Sequence, residues 1–240
     1  MIRLVSPNKV VAHAPIIRWI ILQIDSTCAH HPNNMPSAYN NPTDVVGDVL
    51  AAAFLHYPVM DFAFQGESEA EQARKLQIMF RFCANAARLY GGSAFTEEKD
   101  GALLWLPGSK VPLGLWRELR AGVAALPFQI GLRQVCRLMA HDVDVMQNIL
   151  DRANMKQMGL IWLVGVEPTS QGKGYCRILM ERAMTEMRTQ GMTEFWLTTN
   201  TESNVKIYER LGFHVMDERV IKSSGLTDWV MRKLDVPEAR

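Results

Sequence analysis

The stretch that decides the fold is Val164-Gly165-Val166-Glu167-Pro168-Thr169-Ser170-Gln171-Gly172-Lys173-Gly174-Tyr175-Cys176. It begins at the end of a continuous apolar run, residues 160–166, which is typical of a strand covered on both faces. A turn with two glycines follows, and a helical pattern then continues to residue 190. This order directs several backbone N–H groups at one point, where the helix dipole adds partial positive charge. The stretch therefore predicts a phosphate or pyrophosphate site, which Gly172 and Gly174 let the backbone approach closely.

Two common phosphate-binding motifs do not fit this loop. A Walker loop needs a glycine five residues before its Gly-Lys pair and a Ser or Thr after the lysine, and this chain has Glu167 and Gly174 at those positions. A dinucleotide fingerprint needs a third glycine where Arg177 stands. The phosphate-binding loop must therefore belong to another class.

A second motif lies downstream, after one intervening strand pattern. It is Asn204-Val205-Lys206-Ile207-Tyr208-Glu209-Arg210-Leu211-Gly212-Phe213, in which Asn204 and Tyr208 are four residues apart and share one helix face. Together with Gln171-Gly172-Lys173-Gly174-Tyr175-Cys176, it resembles the GNAT superfamily of N-acetyltransferases. The one departure in the loop is Cys176, a small residue where the superfamily has Gly or Ala.

The resemblance implies an α/β fold with a mixed central sheet flanked by helices. It implies a GNAT domain at residues 35–236 with a cofactor-binding core at 158–234, and acetyl-CoA as co-substrate with no metal. Main-chain groups of the strand at 160–166 would pair with the pantetheine, and the amides of 172–176 would hold the pyrophosphate. The cofactor-binding residues that it implies are Val164, Gly165, Val166, Gln171, Gly172, Lys173, Gly174, Tyr175, Cys176 and Asn204.

The activity implied is transfer of an acetyl group from acetyl-CoA to a primary amine, which we expect to belong to a small molecule. Tyr208 is the implied catalytic acid, since a phenol with a pKa near 10 suits protonation of a thiolate with a pKa of about 8.5. Two other functions stay open. One is a catalytically idle CoA-binding module, and the other is an acyltransferase that acts on a peptide or protein amine.

The helical pattern at residues 112–150 is similar in layout to puromycin N-acetyltransferase-like members of the superfamily. That branch often has His-Trp-Tyr-Leu before its cofactor strand and Glu on the next strand, where this chain has Met158-Gly159-Leu160-Ile161 and Thr198. The general base therefore stays open between a water chain and several side chains. The candidates, by chemistry alone, are Glu97, Glu98, His141, Asp142, Asp144 and Glu202, with His141 expected on a surface helix segment.

The remaining patterns predict elements of both kinds. Residues 44–56 and 67–90 predict helices, the second with Ser68 as N-cap and Glu71 completing a capping box. Residues 93–106 predict a hairpin around an Asp-Gly turn. The pattern at 112–150 predicts helices interrupted at Pro127, with Trp116 in the core. Further predicted elements are strands at 194–199, 213–221 and 227–232 and a helix at 201–211.

Composition limits the partners. Lys and Arg number 26 against 25 Asp and Glu, and this near-neutral charge argues against nucleic acid or an anionic membrane as the main partner. Four dispersed cysteines without a CxxC pair favour a reducing compartment. The early apolar stretch at 16–24 is too short to span a bilayer. We therefore expect a cytoplasmic protein with an irregular extension at residues 1–34, and its oligomeric state is not predicted.

Overall fold

The computed structural model describes residues 42–235 of the 240-residue chain. The predicted extension at residues 1–34 lies outside the described residues. None of the helices between Pro42 and Asp235 is both long enough and apolar enough to cross a membrane.

Helices and strands follow one another along the chain as the sequence patterns predict, except for a short helix at Pro58–Ala63 that those patterns do not predict. The helices are α1 (Pro42–Phe54), α2 (Pro58–Ala63), α3 (Glu69–Tyr90), α4 (Leu115–Ala121), α5 (Leu126–Ile130), α6 (Leu132–Leu150), α7 (Tyr175–Thr189) and α8 (Glu202–Arg210). The strands are β1 (Gly92–Phe95), β2 (Gly101–Pro107), β3 (Met158–Val166), β4 (Glu194–Thr199), β5 (His214–Val220) and β6 (Thr227–Leu234). Short 3₁₀ turns lie at Gly108–Lys110, Val123–Ala125 and Pro168–Ser170.

The six described strands form one mixed sheet in the order β1-β2-β3-β4-β6-β5. Every neighbouring pair is antiparallel except β3 and β4, which are parallel. That parallel pairing joins Met158–Leu160 to Glu194–Trp196 and then stops, although both strands continue. The two strands therefore separate at their carboxyl ends and leave a gap in the middle of the sheet.

Helices cover both faces of the sheet. Successive residues of a strand point to opposite faces, so neighbouring residues pack against different helices. In β2, Leu104 packs in a cluster with Leu50 and Phe80 of α1 and α3, whereas its neighbour Leu103 packs with Leu179 of α7. All five side chains are fully or almost fully buried. This arrangement confirms the predicted fold class, a mixed central sheet flanked by helices.

The capping box is confirmed, because the Ser68 hydroxyl accepts a hydrogen bond from the Glu71 amide at 3.3 Å. The insert, residues 112–150, differs from its prediction in two places. The chain turns at Gly131, with a φ of 100°, and Pro127 lies in the first turn of α5, where a missing N–H costs nothing. Trp116 is 82% exposed, so the prediction that it is a core residue is wrong.

Candidate functional site

A cavity of about 950 Å³ occupies the gap between β3 and β4. Its wall includes residues 160–166 of β3 and Leu197 and Thr198 of β4. From there it extends to the loop and first turn of α7 in one direction and to the insert helices α4 and α6 in another. Its size is that of a typical site for a small molecule or cofactor.

The loop between β3 and α7 has the conformation that its glycines predict. Gly172 and Gly174 both have a φ of +82°, a region that only glycine adopts at low cost. A Cβ added at either position would meet no atom of another described residue within 4 Å, so both glycines border open space in this part of the chain. No side chain of the described residues caps α7 at Gly174, which leaves the first-turn N–H groups available to an anion. These features fit a pyrophosphate.

Two polar side chains of the same loop turn back towards the protein. Lys173 donates a hydrogen bond to the Ser170 hydroxyl at 3.0 Å and lies 5.8 Å from the centre of the Tyr175 ring. Gln171 makes a long hydrogen bond of 3.4 Å to the carbonyl of Val166. In this arrangement the backbone, rather than the two side chains, faces the open space at the loop.

The three predicted residues of β3 have different surroundings. Val164 and Val166 are half-buried and line the cavity beyond the point where β4 separates from β3. Gly165 is buried, and a Cβ there would lie 2.6 Å from the Cβ of Ala53. The close packing of α1 on the sheet therefore accounts for a glycine at position 165, independently of any cofactor.

Tyr208 lines the same cavity from α8 and is 7% exposed. Burial raises the pKa of Tyr208 well above its usual value, and the nearby Cys176 and Tyr57 add to this effect when they are ionised. The phenol therefore stays protonated at any physiological pH. Its ring packs against Phe213, with 6.2 Å between ring centres, so both residues of the second motif belong to one cluster.

Cys176 is half-buried beside this cluster. Burial raises the pKa of the Cys176 thiol to about 11, and this effect outweighs its position near the helix N-terminus. The thiol is therefore protonated at neutral pH and serves here as a small packing residue.

Asn204 belongs to a hydrogen-bonded chain that the sequence did not predict. Its side-chain amide donates to the Thr199 hydroxyl at 3.2 Å. The Thr199 hydroxyl also lies 3.1 Å from the phenol oxygen of Tyr57, which accepts a bond of 2.8 Å from the backbone N–H of Asn200. This network fixes the end of β4 against the corner between α1 and α2, at the place where β4 has left β3.

The same chain continues to a buried carboxyl group. The Asn200 side chain donates to the backbone carbonyl of Thr227 at 3.0 Å and to Asp228 Oδ1 at 3.3 Å. Asp228 is fully buried, and within the described residues its Oδ2 atom has no hydrogen-bond partner. Burial raises the pKa of Asp228 to about 7, an effect that Arg219 opposes and that Asp142 and Asp217 increase. A signal was available in the sequence: strand alternation puts Asp228 on the same face as buried Val230.

Of the six general-base candidates, only His141 and Asp142 line the cavity. His141 is 6% exposed rather than on a surface segment, and its Nδ1 lies 2.9 Å from the Ser224 hydroxyl. Burial lowers the pKa of His141. Asp142 is accessible through the cavity, yet protein atoms crowd its carboxyl group and raise its pKa to about 6. Glu202 pairs instead with Lys206 at 2.8 Å, outside the cavity.

The comparisons with known proteins agree with this geometry. Residues 135–216 match the family model of the acetyltransferase (GNAT) domain, a range that includes the loop, α7, β4 and α8. These residues are therefore similar to the GNAT acetyltransferase domain, the family that the two motifs predicted. None of the curated proteins matches the chain.

Solved structures resemble the fold at low identity. The apo form of a mutant agmatine N-acetyltransferase aligns with 80% of this chain and 93% of its own, at 15% identity and a TM-score of 0.52. The alignment with a putative GNAT-family acetyltransferase from Desulfovibrio desulfuricans covers 83% of this chain and 96% of that protein, at 12% identity and a TM-score of 0.48. The alignment with a chain of the NatC complex bound to Gag peptide and CoA covers 32% of this chain and 50% of that chain, at 25% identity and a TM-score of 0.30. This chain thus spans about half the length of that last chain. The agmatine N-acetyltransferase is similar to this chain in its fold.

Proposed function

We propose that the chain is an N-acetyltransferase that moves an acetyl group from acetyl-CoA to a primary amine of a small molecule. The observation that carries the proposal is the gap between β3 and β4, because one cavity joins the glycine loop, the exposed edge of β3 and Tyr208. Acetyl-CoA supplies the activated acetyl group as a thioester.

The loop and β3 would bind the co-substrate mainly through backbone groups. The N–H groups around Gly172 and Gly174 suit a pyrophosphate, since an uncapped helix start attracts negative charge. Among residues 42–235, no strand pairs with the edge of β3 at Val164 and Val166 on the side of β4, so the N–H and C=O groups of that edge can pair with the pantetheine amides. Asn204 and Thr199 would stabilise the opposite wall.

The reaction requires a new C–N bond and the loss of a C–S bond. A neutral amine attacks the thioester carbonyl, and backbone N–H groups at the end of β3 would stabilise the negative charge on its oxygen. The CoA thiolate leaves and takes the phenol proton of Tyr208, which then regains a proton from water. The proton that the amine loses passes to water or to a carboxylate of the cavity.

The raised pKa of Tyr208 bears on this proton transfer. Burial makes the phenol a weaker acid than in water, which by itself disfavours the transfer. The same low-polarity surroundings also destabilise the CoA thiolate, so the pKa of the CoA thiol rises as well. The pKa of Tyr208 therefore exceeds that of the thiol by less than it would if burial affected the phenol alone. Tyr208 therefore acts best as a donor at the moment when the thiolate forms.

A free-thiol assay with acetyl-CoA and a panel of small amines tests the proposal. Release of CoA that depends on both the protein and an amine, with the acetylated amine identified by mass, is the expected result. Binding of acetyl-CoA without release by any amine would favour the idle CoA-binding module. Release only with peptides would favour the peptide or protein acceptor.

A further inference from the structure

The hairpin of β1 and β2 ends beside the start of the glycine loop. Strand pairing puts Gly101, the first residue of β2, opposite Val166, the last residue of β3. Directly after β3, the N–H of Glu167 donates a hydrogen bond to the carbonyl of Asp100 at 2.7 Å. Helix α7 packs so closely here that a Cβ added at Gly101 would lie 3.1 Å from Cδ1 of Leu179. The hairpin therefore contacts both elements that the glycine loop joins.

The Thr96 hydroxyl fixes the end of this hairpin turn with three hydrogen bonds. It donates to Oδ1 of Asp100 at 2.6 Å and accepts from the N–H groups of Asp100 and Gly101, each at 3.0 Å. Thr96 is 6% exposed, so water has little access to these bonds. One hydroxyl thus holds both the backbone and the carboxylate of Asp100 in place.

Ser170 provides a second connection between the turn and the loop. It is 6% exposed and ends the 3₁₀ turn that leads into the glycine loop. Its hydroxyl accepts a hydrogen bond from Lys173 at 3.0 Å, which leaves its own proton for another acceptor. That acceptor is Asp100: hydrogen bonds from Ser170 and Thr96 hold the pKa of Asp100 below its ordinary value, and the charge of Lys173 acts in the same direction. The ionised carboxylate therefore joins the turn to the loop.

The glycine loop depends on such connections because its own residues are exposed. Positions 171–174 are all exposed, and the two glycines among them have more conformational freedom than any other residue type. Backbone N–H groups bind an anion tightly only when they are held in the binding geometry beforehand. The negative charge of Asp100 would repel a nearby anion, so direct contact with a pyrophosphate does not explain this residue. Restraint of the loop does.

We propose, building on the proposed function, that Thr96 and Asp100 are positioning residues for acetyl-CoA, which hold the glycine loop in the conformation that binds the pyrophosphate. They act through the backbone of Glu167 and the hydroxyl of Ser170. Neither residue is part of the wall of the described cavity, so neither touches the co-substrate itself. Their effect is confined to the part of acetyl-CoA that the loop binds, and the pantetheine along β3 binds independently of them.

Two ligands test the positioning role by calorimetry on the full chain: acetyl-CoA, and acetylpantetheine, which has the same thioester but no pyrophosphate or nucleotide. Thr96→Val and Asp100→Ala remove the hydroxyl and the carboxylate, whereas Thr96→Ser and Asp100→Asn keep a donor and an acceptor at the same places. Ser68→Ala is the control, because it removes a hydrogen bond at the start of α3, outside the cavity wall. Urea denaturation gives the stability of every variant.

Thr96→Val and Asp100→Ala should each weaken acetyl-CoA binding about fivefold, the size of effect that one hydrogen bond has, and leave acetylpantetheine binding unchanged. Thr96→Ser and Asp100→Asn should restore most of the affinity for acetyl-CoA. Ser68→Ala should lower stability without changing the binding of either ligand, which separates positioning from a general loss of stability.

Three results would overturn the positioning role. They are unchanged acetyl-CoA affinity in Thr96→Val and Asp100→Ala, an equal loss for both ligands in these variants, and a wild type that binds acetyl-CoA no more tightly than acetylpantetheine. A wild type that binds neither ligand would instead refute the proposed function, on which this inference depends.

Discussion

Two regions of the molecule meet at the cavity, and they are specified in different ways. The loop side consists of β3, the glycine loop, α7, β4 and α8, and the insert side consists of α4, α5 and α6. On the loop side, local backbone geometry forms the site, through positive φ angles, a helix start and a break in strand pairing. On the insert side, side chains from distant elements form it, with the carboxylates of Glu118 and Asp142 in a wall that is otherwise largely apolar. Local geometry can be inferred from a short motif, whereas a charge cluster depends on long-range packing.

Asp228→Asn tests how strongly buried carboxyl groups affect stability beside the insert, and it should have the largest effect. The folded-state pKa of Asp228 is about 7, against about 4 in an unfolded chain. Below pH 4 both states are protonated. Between pH 4 and 7 only the folded state holds the proton, so wild-type stability falls as the pH rises. Three pKa units correspond to about 4 kcal/mol.

Urea denaturation of wild type and Asp228→Asn across this pH range measures the effect. Asparagine keeps an acceptor for Asn200 and carries no charge. The free energy of unfolding of the variant should therefore not show the fall between pH 4 and 7 that Asp228 causes in the wild type. A decrease of the same size in the variant would contradict a buried, titrating Asp228.

Tyr208→Phe tests the loop side at its chemical step. Removing a general acid is expected to lower kcat by about 100-fold, while the affinity for acetyl-CoA stays constant because backbone groups bind the co-substrate. Tyr90→Phe, a substitution at the end of α3 and outside the cavity wall, is the control. Unchanged turnover in Tyr208→Phe would remove the acid assignment.

Gly174→Ala tests whether the loop geometry itself binds acetyl-CoA. Alanine at a φ of +82° is strained by about 1 kcal/mol and puts a methyl group at the bare loop surface. Gly225→Ala is a matched control in the β5–β6 turn, since Gly225 has a φ of +72° and also borders open space. Both variants should lose similar stability, but only Gly174→Ala should weaken acetyl-CoA binding, by about tenfold. Equal affinities would show that the loop does not contact the co-substrate.

Tyr57→Phe tests how the corner between α1 and α2 positions the loop side, and it should have the smallest effect. The phenol oxygen is bonded to Thr199 and to the Asn200 amide, so its loss leaves the Asn200 N–H without that acceptor. We expect about 1 kcal/mol lower stability and a severalfold higher KM for acetyl-CoA with little change in kcat. A lower kcat with an unchanged KM would assign Tyr57 to the chemistry instead of to positioning.

The sequence predicted most of the fold and the backbone geometry of the glycine loop, and the reasons are physical. Gly172, Gly174 and the Ser68 cap act through their own backbone or the next turn, so a few residues suffice to recognise them. Trp116 shows the limit: its spacing fits a helix face, but within residues 42–235 no element covers its side chain. Glu118 and the Tyr57–Thr199–Asn204 chain bring together residues far apart in sequence, which no local pattern encodes.

The most direct test of the central claim, that the gap between β3 and β4 binds acetyl-CoA, is a thermal melt with and without acetyl-CoA in the presence of reductant. Ligand at 100 times its Kd is expected to add about 2.7 kcal/mol to the free energy of unfolding, which raises the Tm by several degrees. No shift at millimolar acetyl-CoA, with longer acyl-CoAs also without effect, would contradict the account.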